Sequence, residues 1–281
     1  MTNLNRNDGI SSDSGTGLLD NFSRYLDAEL ALNEDQRNEA HRLRYDVYCE
    51  ERGYEDPESF PNKLEVDDHD HHSVHALVRH RASDLVAGVV RLVFADMSAP
   101  QKPLPIEHHC GHSFDQSVLK RFDFSRQNVA EVSRFAVSNK FIRYAGYTNP
   151  VIQAGRESDG RNLDDEPSQY LPHISMGLIA MLFVASAQHR ISHWYAVMEP
   201  SLSRLLGRSG IEFTRIGPVV NYHGRRQPMI ASVNDLLSNI YVKRYDFFRL
   251  IDHLGGVPAD FQPDWPIVTG PSQSDRLISV S

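Results

Sequence analysis

What constrains this chain most is the order in which its β-rich runs and helical segments follow one another. Residues 25–32 alternate loosely between apolar and polar and predict a first strand. Asn33, with Gln36 three residues on, is then a capping signature for a helix over 34–53, in which Ala40, Leu43 and Val47 share one face. Residues 75–81 and 85–94 are β-rich runs separated by the turn-like Ala82-Ser83-Asp84, a hairpin signal in which Gly88 marks a bulge. Residues 95–127 carry Pro100, Pro103 and Pro105 and predict a long irregular excursion before a strand over 129–137. A helix over 173–189, a strand over 192–198, a proline-started helix over 200–209 and strands over 211–216 and 227–233 follow. Asn234 then caps a last amphipathic helix running to 253. The order β α β β β α β α β β predicts an α/β (α+β) fold, a mixed central sheet flanked by helices on both faces.

With 281 residues, 40% of them apolar, the chain can bury a large core. The reading is one domain over 18–253, with a polar disordered tail over 1–17, an insertion loop over 149–172 and a loose C-terminal tail over 254–281. The first 17 residues lack a basic start followed by an apolar stretch, so no secretion signal is expected there. The longest apolar run, 176–187, is too short to span a bilayer and predicts a buried helix rather than a membrane span. Two cysteines, Cys49 and Cys110, make no disulfide framework and suit a reducing compartment, so the expected location is cytoplasmic. A net charge of -8 argues against general affinity for nucleic acid. Segment 116–156 is the exception: Lys120, Arg121, Arg126, Arg134, Lys140, Arg143 and Arg156 are opposed there only by Asp123 and Glu131. It reads either as a solvated basic face or as a docking surface for an anionic partner.

The chemistry rests on five positions. Arg44 stands four residues before Tyr48, with Tyr54 six further on; then come Glu65-x-Asp67-x-x-Asp70, Arg91 in a strand, and Glu131-Val132-Ser133-Arg134-Phe135. Burying several carboxylates together is unfavourable unless arginines compensate, so Glu65, Asp67 and Asp70 are expected to meet Arg44, Arg91 or Arg134. The resulting polar cluster is either a structural ion-pair network or a cleft that orients an amine. Glu131, opening a central strand, is the candidate general base for an ammonium proton; the alternative is that it only salt-bridges Arg134.

In order and spacing these residues resemble the acyl-homoserine-lactone synthases, with Tyr48 and Tyr54 where that family usually has Phe and Trp. The segments Arg42-Leu43-Arg44-Tyr45-Asp46-Val47-Tyr48, Glu131-Val132-Ser133-Arg134, His193-Trp194-Tyr195-Ala196-Val197-Met198-Glu199-Pro200 and Tyr222-His223-Gly224-Arg225-Arg226 resemble more closely the acyltransferases associated with PEP-CTERM/exosortase systems. The resemblance implies the GNAT acyl-CoA N-acyltransferase-like fold shared with N-acyl amino acid synthases. It also implies an acyl chain moved from an acyl-carrier-protein or acyl-CoA thioester, with no bound cofactor, to the amine of a small molecule. By that resemblance Glu131, Arg134, Arg44, Asp67, Asp70 and Arg91 serve catalysis and Glu65, Tyr48 and Tyr54 bind substrate. Phe135 to Val137 lie at the acyl group, where backbone amides polarise the thioester. Arg143 and Gly146 stand where the superfold places a glycine loop before a helix that holds pyrophosphate, and the insertion after them favours a carrier protein as donor, docked on segment 116–156.

Other signals carry less. Two clusters, His69, His71, His72 and His75 with Asp67, Asp68 and Asp70, and His108, His109, Cys110 and His112, lack the paired spacing of a zinc site, so no metal is expected. Cys49 on its helix, and Met176, Met181 and Phe183, are read as core residues.

Overall fold

The computed structural model describes residues 17–148, 170–221 and 224–262. Most of the tail over 1–17, the insertion loop up to 169, Arg156, Tyr222, His223 and the end of the C-terminal tail lie outside the described residues. The first described element, α1 (Leu18–Tyr25), has no counterpart in the sequence reading; it buries Phe22 and leads into β1 (Leu26–Leu30). The capping box forms as expected. Asn33 Oδ1 accepts from Gln36 N at 2.9 Å, and Gln36 Oε1 accepts from Asn33 N at 3.2 Å, opening α2 (Glu34–Tyr45). The helix then widens into a π-helical turn, Asp46–Glu51, rather than running as α-helix to residue 53.

The hairpin pairs β2 (Ser73–His80) with β3 (Val86–Phe94), with a register shift at Val78/Arg79 opposite Gly88. The remaining strands are β4 (Val129–Val137), β5 (His193–Met198), β6 (Thr214–Arg215), β7 (Val220–Asn221) and β8 (Arg225–Ser232). They form one eight-stranded sheet in the order β1-β2-β3-β4-β5-β8-β6, with β7 on β8. Its pairings are antiparallel except β4 with β5. Parallel neighbours need a long crossover, and here it runs through α5 (Asn139–Thr148) and α6 (Tyr170–His189).

Helices cover both faces. On one, α6 packs across β1 to β4, where Val78, Val90 and Leu92 join its Ile174, Leu178 and Leu182. The approach is so close that a Cβ on Gly88 would stand 2.8 Å from Ile174 Cγ2, and one on Gly177 would strike the Phe22 ring. Gly88 therefore serves helix contact as well as the bulge. On the other face Ala40, Leu43 and Val47 pack on Leu77 and Val89. The excursion over 95–127 is less irregular than expected. It carries α3 (Pro105–Cys110) and α4 (Gln116–Leu119), and Leu104, Ile106 and Cys110 close over Val93, Val129 and Tyr195.

Helix α6 over Leu171–His189 is long and apolar enough by length and composition to cross a membrane, and most of it is buried within the fold, as the buried helix expected over 176–187 requires. Four expectations are corrected. The strand expected over 211–216 shrinks to Thr214–Arg215, and the helix expected over 200–209 is α7 (Pro200–Gly207), which ends at Gly207. The last helix is capped by Ser232, whose hydroxyl accepts from Asp235 N at 3.2 Å, rather than by Asn234. It is also broken at Arg244 into α8 (Val233–Lys243) and α9 (Tyr245–His253).

Candidate active site

The site grows from an irregularity in the central strand. Val89 pairs with Ala136 and Arg91 with Ser133, so Arg134 and Phe135 together oppose Val90, a β-bulge in which Arg134 takes a φ of 51°. On the other edge, β4 and β5 pair only from Val129↔His193 to Val132↔Ala196 and then separate. A cavity of about 950 Å³ occupies the opening, lined on one side by Ser133, Arg134 and Phe135 and on the other by Ala196, Val197 and Met198.

At one end of the cavity the expected polar set assembles. Arg44, fully buried on α2, donates to Glu65 and to Asp70 Oδ1 at 2.7 Å. Arg91, 1% exposed, donates Nη1 to Asp67 at 2.6 Å and to Asp70 at 2.7 Å, and Nε to Ser133 Oγ at 3.0 Å. The bulge aims Arg134 into the same cluster, with Nη2 2.9 Å from Glu65, 3.3 Å from Glu55 and 3.4 Å from Asp67. Burial alone would raise the pKa values of Glu65, Asp67 and Asp70, but the guanidiniums, with His75 also bonding Asp70, hold all three below the ordinary range. Desolvation keeps His41 neutral, its pKa lowered to about 4, and lowers that of His75. Four carboxylates thus face three guanidiniums, leaving one negative charge in excess.

Glu131 stands apart from this network. It makes no ion pair with Arg134; its Oε2 accepts from Ile106 N at 2.6 Å while the residue lines the cavity. Burial pushes its pKa up to about 8, against the lowering effects of the Ile106 amide and Arg91. A carboxyl balanced near neutrality beside a cavity suits proton transfer better than ion pairing does.

Tyr48 and Tyr54 line the cavity with ring centroids 6.2 Å apart. The Tyr48 hydroxyl donates to Phe135 O at 3.3 Å, and the Arg134 guanidinium lies 5.2 Å above its ring. Phe135 reaches the cavity, but Val137 turns away into the main core. Arg143 and Gly146 fall inside α5 rather than in a loop before a helix, which leaves their amides within the helix. Within its described part, 116–148, the basic segment is no continuous face: Arg134 points inward, Arg126 pairs with Glu107, and Lys140 pairs with Asp46 and Glu50. Lys120, Arg121 and Arg143 remain exposed.

The sequence reading passed over Glu55, whose only signal is its place beside Tyr54, and Ser133, which orients Arg91. Met176 packs against the main core as expected and also lines the cavity, and Met181 and Phe183 are core. Cys49 is buried, its thiol pushed up to about 11 by desolvation. His41, Asp70 and His75 bring ligand atoms within 4.8 Å of one another, but Asp70 Oδ1 already accepts from two guanidiniums, an arrangement hostile to a cation.

Residues 43–148 match the family model of an acetyltransferase (GNAT) domain. Sheet order and match together give the chain a GNAT-like fold, with the acetyltransferase domain match confined to residues 43–148. Solved structures resemble the chain across most of their length. TofI, in a ternary complex with an inhibitor and MTA, is 19% identical at a TM-score of 0.51 and covers 77% of this chain and 96% of its own. The AHL synthase LasI is 15% identical at 0.50, covering 78% and 95%. The CoA-dependent acyl-homoserine lactone synthase BjaI, with MTA, is 21% identical at 0.50, covering 86% and 94%. At such identities the likeness speaks for the fold. No curated protein matches the sequence.

Proposed function

We propose that the chain is an N-acyltransferase that joins an acyl chain, delivered as an acyl-carrier-protein or acyl-CoA thioester, to the amine of an amino acid or similar small molecule. One observation carries the reading: a single cavity connects an acidic, arginine-braced pocket to an apolar interior, with the Glu131 carboxyl lining it and the β4 bulge between. The excess negative charge suits an ammonium group. Glu131, once ionised, takes the ammonium proton, directly or through water. The freed amine attacks the thioester carbon; backbone amides at the bulge hold the oxyanion. Collapse breaks the C–S bond, and the second proton shed by the attacking nitrogen passes, directly or through water, to the departing sulfur, so that a neutral amide and a free thiol result. The exposed Lys120, Arg121 and Arg143 are what remains of the basic segment as a docking surface for a carrier protein.

The motif segments quoted above support placing the chain with the PEP-CTERM/exosortase-associated acyltransferases, working in the cytoplasm where such donors are made. The test incubates purified protein with acyl-carrier proteins of several chain lengths and a pool of amino acids plus S-adenosylmethionine. Free thiol and N-acyl products are followed by mass spectrometry, with Glu131→Gln as control. A new amide that the variant makes at least 100-fold more slowly is the expected outcome. An acyl-homoserine lactone formed with S-adenosylmethionine would instead make the chain a lactone synthase, and carrier binding without thiol release would overturn the enzyme reading.

A further inference from the structure

The far end of the cavity says what kind of acyl chain the site takes. Leu182, Trp194, Ile211 and Phe247 are each at most 3% exposed, yet all four line the cavity, which therefore penetrates the main core instead of stopping at the sheet surface. They come from four separate elements: α6, β5, the segment after α7, and α9. Trp194 is held in place by its indole N–H, which donates to Ser186 Oγ at 2.8 Å. Phe213 adds a partly buried wall. The wall these residues make is apolar and suits hydrocarbon, while Arg208 and Ser209, just before Ile211 in the chain, also line the cavity.

We infer that the donor carries a long hydrocarbon chain, whose distal carbons lie between Leu182, Ile211 and Phe247. The inference rests on the acyl-transfer reading for its chemistry and on the cavity for its length. One water-sized group needs about 10–15 Å³ of such space, so the 950 Å³ exceeds the needs of a chain of about a dozen carbons with the acidic pocket and thioester also filled. A short acyl group would leave most of the cavity's apolar wall without contact.

The experiment measures binding without turnover. The full chain is titrated calorimetrically with unreactive thioether analogues, S-alkyl coenzyme A with chains of 4, 6, 8, 12 and 16 carbons. The expected result is a Kd that tightens about fourfold per added methylene up to at least 12 carbons. Phe213→Trp and, in case that variant misfolds, Ile211→Phe are each expected to level off at a shorter chain. A Kd that stops improving at or below six carbons would overturn the inference. So would a levelling point that neither folded variant shortens. Because binding is read apart from amide formation, tight long-chain binding by a protein that makes no amide would count against the acyltransferase reading alone. Amide formation with a plateau at six carbons would count against the length alone.

Discussion

At the scale of single residues, the site separates two kinds of carboxyl by the company they keep. Glu65, Asp67 and Asp70 are held ionised by arginines, whereas Glu131 meets only a backbone amide and is driven toward its neutral form. The list of charged residues was legible in the sequence because a buried carboxylate requires a partner. Which carboxylate stays unpaired was not, since that depends on where the β4 bulge turns Arg134. Tyr48 shows the same dependence on context. Its hydroxyl reaches the carbonyl of Phe135, a bulge residue, and so pins the strand at the point where the thioester is proposed to bind. Tyr48→Phe is expected to cost about 1 kcal/mol of stability and to lower kcat about fivefold, with Tyr48→Ala far worse on both. Steady-state kinetics and a melting curve check this, and a kcat equal to wild type in Tyr48→Phe would leave the hydroxyl without a positioning role.

Among the elements, the closest fit is between α6 and the sheet, and glycine makes it possible. A methyl group on Gly88 would meet Ile174 at 2.8 Å, Leu178 at 3.0 Å and the carbonyl of Ala136 at 3.2 Å, the last of which is backbone and cannot swing aside. Gly88→Ala is therefore expected to destabilise the chain by about 1–3 kcal/mol. Combining it with Ile174→Ala should cost less than the two single changes added together, because each relieves the other. Urea unfolding of the three variants measures the coupling, and simple additivity would mean that α6 accommodates the methyl group by shifting. The sequence announced a special backbone at Gly88 but assigned it to a bulge alone. That a helix from residues 170–189 rests on it is a contact between segments more than 80 residues apart, which no local pattern encodes.

For the whole molecule, opposed titrations set where stability peaks. Glu131 has a folded pKa of about 8, above its ordinary 4.5, so its contribution is fully present below pH 4.5 and is lost as pH rises through 8. His41 and His75 have folded pKa values below 6.5, so what they contribute is present above pH 6.5 and is lost as pH falls. The melting temperature is expected to peak near pH 6.5 and to decline toward pH 8, and Glu131→Gln, which stays neutral, should remove that alkaline decline. Parallel pH profiles for wild type and variant would instead place Glu131 in contact with solvent. The sequence by itself determined the order of the long strands and of the helices between them, the capping box and hairpin, and the set of charged residues. Each of these is written in periods of two to four residues, or in the cost of burying charge. Helices α1, α3 and α4 and the break between α8 and α9 were not among them. Tertiary structure alone decided that β4 and β5 part after Val132, that Glu55 joins the arginine cluster, that segment 116–156 is partly neutralised, and that the cavity reaches Phe247. Those features depend on strand twist and on which distant side chains fill or leave a space, and such distances are set only when the packed layers meet.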